Sequence, residues 1–170
     1  PDSTHKRRGK ERNPRYEFFK GDVCNPADVE KAIEGCTGVV HFAAETHVDR
    51  SLLEAKTFLD TNIYGTYVLL EAARKKGIKK FLLVSTDEVY GSRPKGYFVE
   101  KDPLRPTSPY SISKTAADLL VLSYAHTHKM HTVVTRGSNT FGPYQYPEKV
   151  IPLFVSNALS DQRLPLYGDG

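Results

Sequence analysis

Short runs of consecutive apolar residues alternate along this chain with longer stretches in which apolar positions recur every three or four residues. The runs are rich in β-branched and aromatic residues and predict buried strands at 38–43, 81–84 and 132–135, with a further strand at 16–20. The longer stretches have the spacing of helices that bury one face, and they predict helices over 26–34, 53–76, 110–128 and 150–159.

This alternation indicates βαβ units, which place neighbouring strands parallel and cover a sheet with helices. We therefore predict an α/β fold with a Rossmann-like, doubly wound parallel sheet that is covered on both faces. Such sheets bind ligands beyond the carboxyl ends of their strands. The segments expected at that rim are 21–24, 43–50, 85–91 and 136–144.

The composition is that of an ordinary folded domain, with 170 residues of which 39% are hydrophobic and 26% charged, and this excludes a disordered chain. No run approaches the roughly 20 apolar residues of a membrane-spanning helix, so we expect a cytoplasmic protein without a membrane partner. Two cysteines, Cys24 and Cys36, are too few for a disulfide framework. The net charge of +4 comes entirely from residues 1–16. That segment predicts a solvated tail or, alternatively, an arm that binds nucleic acid or a partner.

One group of polar residues at the predicted rim has the character of a proton-transfer site. Ser85 and Thr86 follow a buried strand, while Tyr110 and Lys114 lie four residues apart at the start of a long helix and so share one face. A neighbouring ammonium group favours the phenolate, so we expect Tyr110 to act as a general base near neutral pH. Ser85 or Thr86 could hydrogen-bond the same substrate hydroxyl.

Asp87 and Glu88 place two carboxylates side by side where that strand ends. Carboxylates are costly to bury, so this pair is either a solvated turn or part of the chemistry. Elimination of water needs one acid and one base close together, and two neighbouring carboxylates can supply them because their pKa values separate.

Three motifs occur in combination: HFAAETHVDRS at 41–51, STDEVYG at 85–91, and Tyr110-x-x-x-Lys114. With the segments 139–152 and 164–168, they resemble the extended short-chain dehydrogenase/reductase family, and within it the dTDP-glucose 4,6-dehydratases. The resemblance runs from about Arg15 to Gly170.

The resemblance implies an NAD-dependent lyase that converts dTDP-glucose to dTDP-4-keto-6-deoxyglucose. It would oxidise C4, eliminate water across C5 and C6, and reduce C6. Tyr110, helped by Lys114 and Thr86, would remove the C4 hydroxyl proton while hydride passes to NAD⁺. Glu88 would take the C5 proton, and Asp87 would protonate the departing C6 hydroxyl.

The resemblance also implies two sets of binding residues and a homodimer built through the helices at 53–76 and 110–128. The cofactor set is Asp22, Val23, Ala43, Ala44, Glu45, Ser85, Tyr110 and Lys114. The nucleotide-sugar set is Thr86, Asn139, Lys149, Val150, Pro165 and Tyr167. From the residues themselves, Ala43 and Ala44 are explained equally well as ordinary packing residues. No metal site is expected, because no Cys or acid lies at ligand spacing from the histidines at 126, 128 and 131.

The sequence contains no glycine fingerprint of the dinucleotide-binding type, which normally supplies the pyrophosphate site. We therefore expect the central part of a longer enzyme, without the first βαβ unit and most of the substrate domain, and with little activity alone. The expected parts are a basic tail at 1–15, a partial NAD-binding domain at 16–146, and the start of a nucleotide-sugar domain at 147–170. Two alternatives stay open: a related UDP-sugar epimerase or decarboxylase, and a non-catalytic fragment whose basic arm binds nucleic acid or a partner.

Overall fold

A computed structural model describes residues 13–166 and 168 of the chain. Phe18–Ser138 form one compact unit, and the other described residues belong to a second unit. The first unit contains, in chain order, α1 (Pro26–Ala32), β1 (Gly38–His41), α2 (Val48–Leu53), α3 (Ala55–Phe58), a π-helical turn (Leu59–Tyr64), α4 (Gly65–Lys75), β2 (Lys80–Thr86), a 3₁₀ turn (Asp87–Tyr90), α5 (Pro109–His128) and β3 (His131–Gly137). The second contains α6 (Val150–Leu159).

The strands of the first unit form a parallel sheet in the order β1-β2-β3. Phe81 lies opposite Val39 on one side and Thr132 on the other, while Ser85 lies opposite Arg136 near the strand ends. The predicted α/β class with a parallel sheet is confirmed. Because the strands run in one direction, their carboxyl ends share one edge, and the polar segments that follow β1, β2 and β3 begin there.

The hydrophobic core of this unit lies on one face of the sheet. Phe81 and Leu83 of β2 are buried against Leu70 of α4 and Val121 of α5, and Val29 of α1 closes the same cluster. Side chains alternate between the two faces of a strand. Two valines of the opposite face are half exposed, at 57% for Val40 and 44% for Val133. The helices in this core therefore cover one face of the sheet, in contrast to the predicted cover on both faces.

Two predicted elements differ in detail. The strand expected at 16–20 is wrong, because no described strand pairs with that segment, and backbone pairing is what makes a β-strand. The helix expected over 53–76 instead begins at Ala55 and ends at Lys75, with a π-helical turn in its middle. Single π turns occur often at functional sites, and this one contains the buried polar side chain of Asn62.

The 3₁₀ turn after β2 is fixed at both of its ends. At the start, the Thr86 hydroxyl accepts a hydrogen bond of 3.2 Å from the backbone N–H of Glu88. At the end, Gly91 has φ +78°, and a Cβ there would overlap the carbonyl oxygen of Arg105. The Arg105 N–H also donates to the Val89 carbonyl at 2.9 Å, so the backbones cannot move apart without breaking that bond.

Gly91→Ala should therefore lower the free energy of unfolding by about 3 kcal/mol, since the substitution adds both a steric overlap and a strained φ. Gly77→Ala is the matched control, because Gly77 has a similar φ of +71° but a Cβ added there would enter open space. We expect a loss of about 1 kcal/mol there. Urea unfolding of both variants measures the difference, and equal losses would contradict the role given to Arg105.

Candidate active site

The carboxyl end of β2 meets the first turn of α5. A reciprocal pair of hydrogen bonds fixes where α5 begins: the Ser108 hydroxyl accepts from the Ser111 N–H at 3.1 Å, and the Ser111 hydroxyl accepts from the Ser108 N–H at 2.9 Å. This capping arrangement stabilises a helix start by satisfying backbone donors. The Tyr110 N–H also donates to the Ser51 hydroxyl of α2 at 3.2 Å. The position of Tyr110 is thus set by its backbone.

Lys114 lies one helical turn after Tyr110, is buried, and reaches the end of β2. Its ammonium group donates a hydrogen bond of 2.8 Å to the carbonyl oxygen of Val84. Burial lowers the pKa of Lys114 below its usual range, and the negative charge of Asp118, one further turn along α5, opposes that effect. The lysine therefore links α5 to β2 directly.

Tyr110 does not have the lowered pKa expected from the sequence. Burial raises the pKa of Tyr110, the negative charges of Glu88 and then Asp87 raise it further, and a hydrogen bond with Thr86 opposes the rise. The ring also packs edge-on against Phe58, with 6.3 Å between ring centroids. Desolvation and the two carboxylates thus favour the protonated phenol, which keeps its proton at neutral pH in this environment.

The structure places Thr86, Asp87, Glu88, Tyr110 and Lys114 together at the end of β2. The hydroxyls of Thr86 and Tyr110 are hydrogen-bonded, and the half-buried carboxylates of Asp87 and Glu88 lie close enough to act on the phenol. Their catalytic roles stay predictions. The juxtaposition itself joins two sequence segments that lie more than twenty residues apart.

Asn62 is a buried residue of this region that sequence reasoning missed. Its side-chain oxygen accepts from the Glu45 N–H at 2.9 Å, and its amide nitrogen donates to the Glu45 carbonyl at 3.1 Å and to the Ser113 hydroxyl at 2.8 Å. Asn62 thereby connects the loop after β1 to α5. One sequence signal could have found it. Asn62 and Thr66 are polar residues that lie between Phe58 and Leu70 at intervals of four, so they share the helical face that is buried in the core.

His41, at the end of β1, continues the same network. The Thr66 hydroxyl donates to the Asn62 carbonyl at 2.6 Å, so it accepts from Nε2 of His41 at 3.1 Å. Nε2 therefore carries a proton, and the low pKa of the ring makes the imidazole neutral at pH 7. Burial, and to a smaller extent the charge of Lys114, lower the pKa of His41 to about 4.

The residues expected to bind the cofactor fall into two groups. Asp22, Val23 and Ala43 line a cavity of about 310 Å³ beside β1, whose wall also contains Phe42. Ala44 and Glu45 follow in the loop held by Asn62. The remaining three, Ser85, Tyr110 and Lys114, lie at the end of β2 with the catalytic candidates.

The residues expected to bind the nucleotide-sugar belong, apart from Thr86, to the second unit. Asn139 is exposed, Lys149 is the N-cap residue of α6, Val150 begins that helix with an exposed side chain, and Pro165 is half buried. Tyr167 lies outside the described residues, as does most of the basic segment at 1–16.

Within residues 13–166 and 168, no three or more His, Cys, Asp or Glu side chains are grouped as metal ligands would be. In the same part of the chain, no helix has the length and apolar character needed to span a membrane.

Comparison with known proteins identifies the family. The family model described as GDP-mannose 4,6 dehydratase matches residues 2–170. The chain belongs to this family. A dTDP-glucose 4,6-dehydratase of Streptomyces antibioticus is 52% identical over 158 residues, which are 93% of this chain and 47% of that protein.

Solved structures agree. A double mutant of a dTDP-glucose 4,6-dehydratase from Streptomyces venezuelae, crystallised with NAD and a second ligand, matches 94% of this chain and 50% of its own with a TM-score of 0.91 at 45% identity. A UDP-glucuronic acid 4-epimerase from Bacillus cereus, in complex with UDP-glucuronic acid and NAD, matches with a TM-score of 0.92 at 30% identity, over 98% of this chain and 53% of its own. The Rossmann-like fold and the resemblance stated from the motifs are confirmed. The chain spans about half the length of the relatives it matches.

The buried His41 predicts a specific acid sensitivity. The unfolded chain binds a proton at His41 near pH 6.5 and the folded chain only near 4, so its contribution to stability is complete above pH 6.5 and lost as the pH falls towards 4. Between about pH 7 and about pH 5, the wild type should lose roughly 2 kcal/mol more than the His41→Gln variant. The glutamine can still donate to Thr66 but does not titrate.

Urea unfolding of both proteins at the two pH values gives this difference, because titration of all other groups is common to them. The same pH dependence in both proteins would contradict a neutral, buried His41.

Proposed function

We propose that the protein is an NAD-dependent nucleotide-sugar 4,6-dehydratase that acts on dTDP-glucose. The observation that carries the proposal is the placement of the Asp87 and Glu88 carboxylates, in the turn that Thr86 caps, beside the Tyr110 phenol at the end of β2. A single sugar ring would then have the Tyr110 hydroxyl available for oxidation at C4 and the two carboxylates available for elimination across C5 and C6. Relatives about half identical to this chain, which bear the name dTDP-glucose 4,6-dehydratase, support this choice of substrate.

The residues present fit a nicotinamide cofactor. The cavity of about 310 Å³ lined by Asp22, Val23 and Ala43 would hold its adenosine end, and the small side chains of Ala43 and Ala44 would allow close approach to the backbone. An ammonium group has three hydrogens, and the Val84 carbonyl accepts one from Lys114, which leaves donors for the ribose beside the nicotinamide. When bound, the cofactor would supply a hydride acceptor for C4 in its oxidised form, which also carries a positive charge, and a hydride donor for C6 in its reduced form.

Tyr110 would take the proton of the C4 hydroxyl. Its raised pKa means that the phenolate needs positive charge nearby, and Lys114 together with the oxidised cofactor would provide it. Thr86, which shares a hydrogen bond with Tyr110, would hold the same substrate hydroxyl in line with the phenolate. Ser85, at the end of β2, would contact the cofactor.

Glu88 and Asp87 would carry out the elimination. The C4 ketone acidifies the C5 proton, which Glu88 takes as a general base, while Asp87 gives a proton to the departing C6 hydroxyl so that water leaves. Both residues are held by the turn that Thr86 caps. Glu45, whose backbone is fixed by Asn62, would contact the cofactor on the other side of the site.

The remaining proposals concern recognition and assembly. Asn139, Lys149, Val150, Pro165 and Tyr167 would bind the nucleotide-sugar, with Lys149 opposite its diphosphate. The parts proposed from the sequence are the tail at 1–15, the cofactor domain at 16–146 and the start of the sugar domain at 147–170. We further propose a cytoplasmic homodimer that does not bind nucleic acid.

A UDP-sugar 4-epimerase is the second candidate, favoured by the similarity to the 4-epimerase structure from Bacillus cereus. Epimerisation needs the tyrosine and lysine but no acid–base pair for elimination. Substitution of Glu88 therefore distinguishes a dehydratase from an epimerase.

Glu88→Gln should reduce formation of the 4-keto-6-deoxy sugar by roughly 10²- to 10⁴-fold, because the amide cannot accept the C5 proton. The protein is used as its coding sequence specifies it. It is mixed with NAD⁺ and dTDP-glucose, and the alkaline absorbance of the 4-keto product is followed. Glu30→Gln, an exposed site on α1, is the control and should leave the rate unchanged. A Glu88→Gln variant that turns over a UDP-sugar at C4 as fast as the wild type would instead indicate the epimerase.

A further inference from the structure

The face of α5 that carries Tyr110 and Lys114 continues one turn further to Asp118. Residues four apart lie on one helical face, so the phenol, the ammonium and this carboxylate form a row. Asp118 is fully buried, and its Oδ2 accepts a hydrogen bond of 2.9 Å from Nε of Arg136 at the end of β3. The fold thus contains a buried ion pair that neither the proposed chemistry nor the proposed ligands use.

Arg136 has a second partner, and that partner belongs to the turn with the two carboxylates. Its Nη1 donates to the hydroxyl of Tyr90 at 2.8 Å and lies 3.4 Å from the Glu100 carbonyl, while the guanidinium carbon is 5.1 Å from the centre of the Tyr90 ring. Tyr90 is the last residue of the 3₁₀ turn that begins at Asp87. The Tyr90 ring also stacks on Phe98, with ring centroids 5.1 Å apart.

We propose that Asp118, Arg136 and Tyr90 form a positioning relay that locks the Asp87–Glu88 turn in register with the helix carrying Tyr110 and Lys114. The proposal rests on the proposed function. None of the three would touch the reacting atoms, so they are positioning residues.

The guanidinium group suits this task for a physical reason. Its N–H donors lie in one rigid plane, so a bond to Asp118 fixes the direction of the bond to Tyr90. A lysine ammonium is a rotatable point charge and would keep the charge of the pair without that fixed direction. The Asp118–Arg136 ion pair is largely buried, so its directed hydrogen bond is strong. An ion pair exposed to solvent would contribute little to fixing the turn.

The need for such a relay follows from the distribution of the chemistry. Tyr110 would act at C4 from α5, whereas Glu88 and Asp87 would act at C5 and C6 from the turn after β2. Both elements must therefore be in register with one sugar ring, and a displacement of about 1 Å at a reacting group can cost roughly 100-fold in rate. Thr86 and Gly91 fix the two ends of the turn, and the Tyr90 side chain connects the turn through Arg136 to Asp118 of α5.

Tyr90→Phe tests the relay, because it removes one hydroxyl and keeps the ring stacked on Phe98. In the protein as encoded, loaded with NAD⁺ and mixed with dTDP-glucose, two rates are followed: the appearance of reduced nicotinamide, which reports C4 oxidation, and the formation of the 4-keto-6-deoxy sugar, which also requires elimination. We expect product formation to fall about tenfold or more, with C4 oxidation changed less than about twofold, so that reduced nicotinamide accumulates. Arg136→Lys should give the same split between the two rates.

Tyr124→Phe is the matched control. Tyr124 lies on the same helix and its hydroxyl donates to Glu71 at 2.7 Å, so this variant also loses one tyrosine hydrogen bond to a charged side chain, but far from the turn. It should show no split. Equal rates in Tyr90→Phe and the wild type, or an equal fall of both rates, would overturn the relay while leaving the proposed function intact. A wild type that forms no 4-keto sugar would overturn both.

Discussion

The hydrogen bond from the Lys114 ammonium to the Val84 carbonyl is the constraint on which the site depends. A buried cation without a partner is costly, so this hydrogen bond fixes the position of α5 relative to the end of β2. That position determines where Tyr110 lies relative to Thr86 and the turn that follows it. The capping pair Ser108 and Ser111 sets the start of the same helix, so α5 is fixed along its axis as well as against the sheet.

The electrostatics of the site follow from that placement. Tyr110 is desolvated and lies near two carboxylates, which raise the pKa of its phenol, and His41 is neutral because burial and the nearby charge of Lys114 lower its pKa. In the proposed reaction, the phenol would therefore lose its proton only when a cationic cofactor lies beside it together with Lys114. The pKa values and the hydrogen-bond network are thus two consequences of the same packing.

Much of this arrangement was predictable because the relevant signals are local. Apolar runs predicted β1, β2 and β3, and the four-residue spacing of Tyr110 and Lys114 predicted a shared helical face. The π turn was not predictable, because Asn62 is buried by long-range bonds to Glu45 and Ser113 that no local pattern encodes. The hydrogen bonds of Arg136 were likewise hidden, since its partners come from a helix and a turn distant in sequence. The segment 16–20 has strand-like residues, but strand formation depends on a pairing partner.

The central claim is that one sugar ring is oxidised at C4 by NAD⁺ with Tyr110 as the base, and is dehydrated by the neighbouring carboxylates, within a single turnover. The most direct test is to supply dTDP-glucose that carries deuterium at C4 and to locate the label in the product by NMR. Transfer through a cofactor that is reduced and reoxidised in place predicts deuterium on C6 of the 4-keto-6-deoxy sugar. Deuterium that returns to C4 of an epimerised sugar, with no label at C6, would contradict the account.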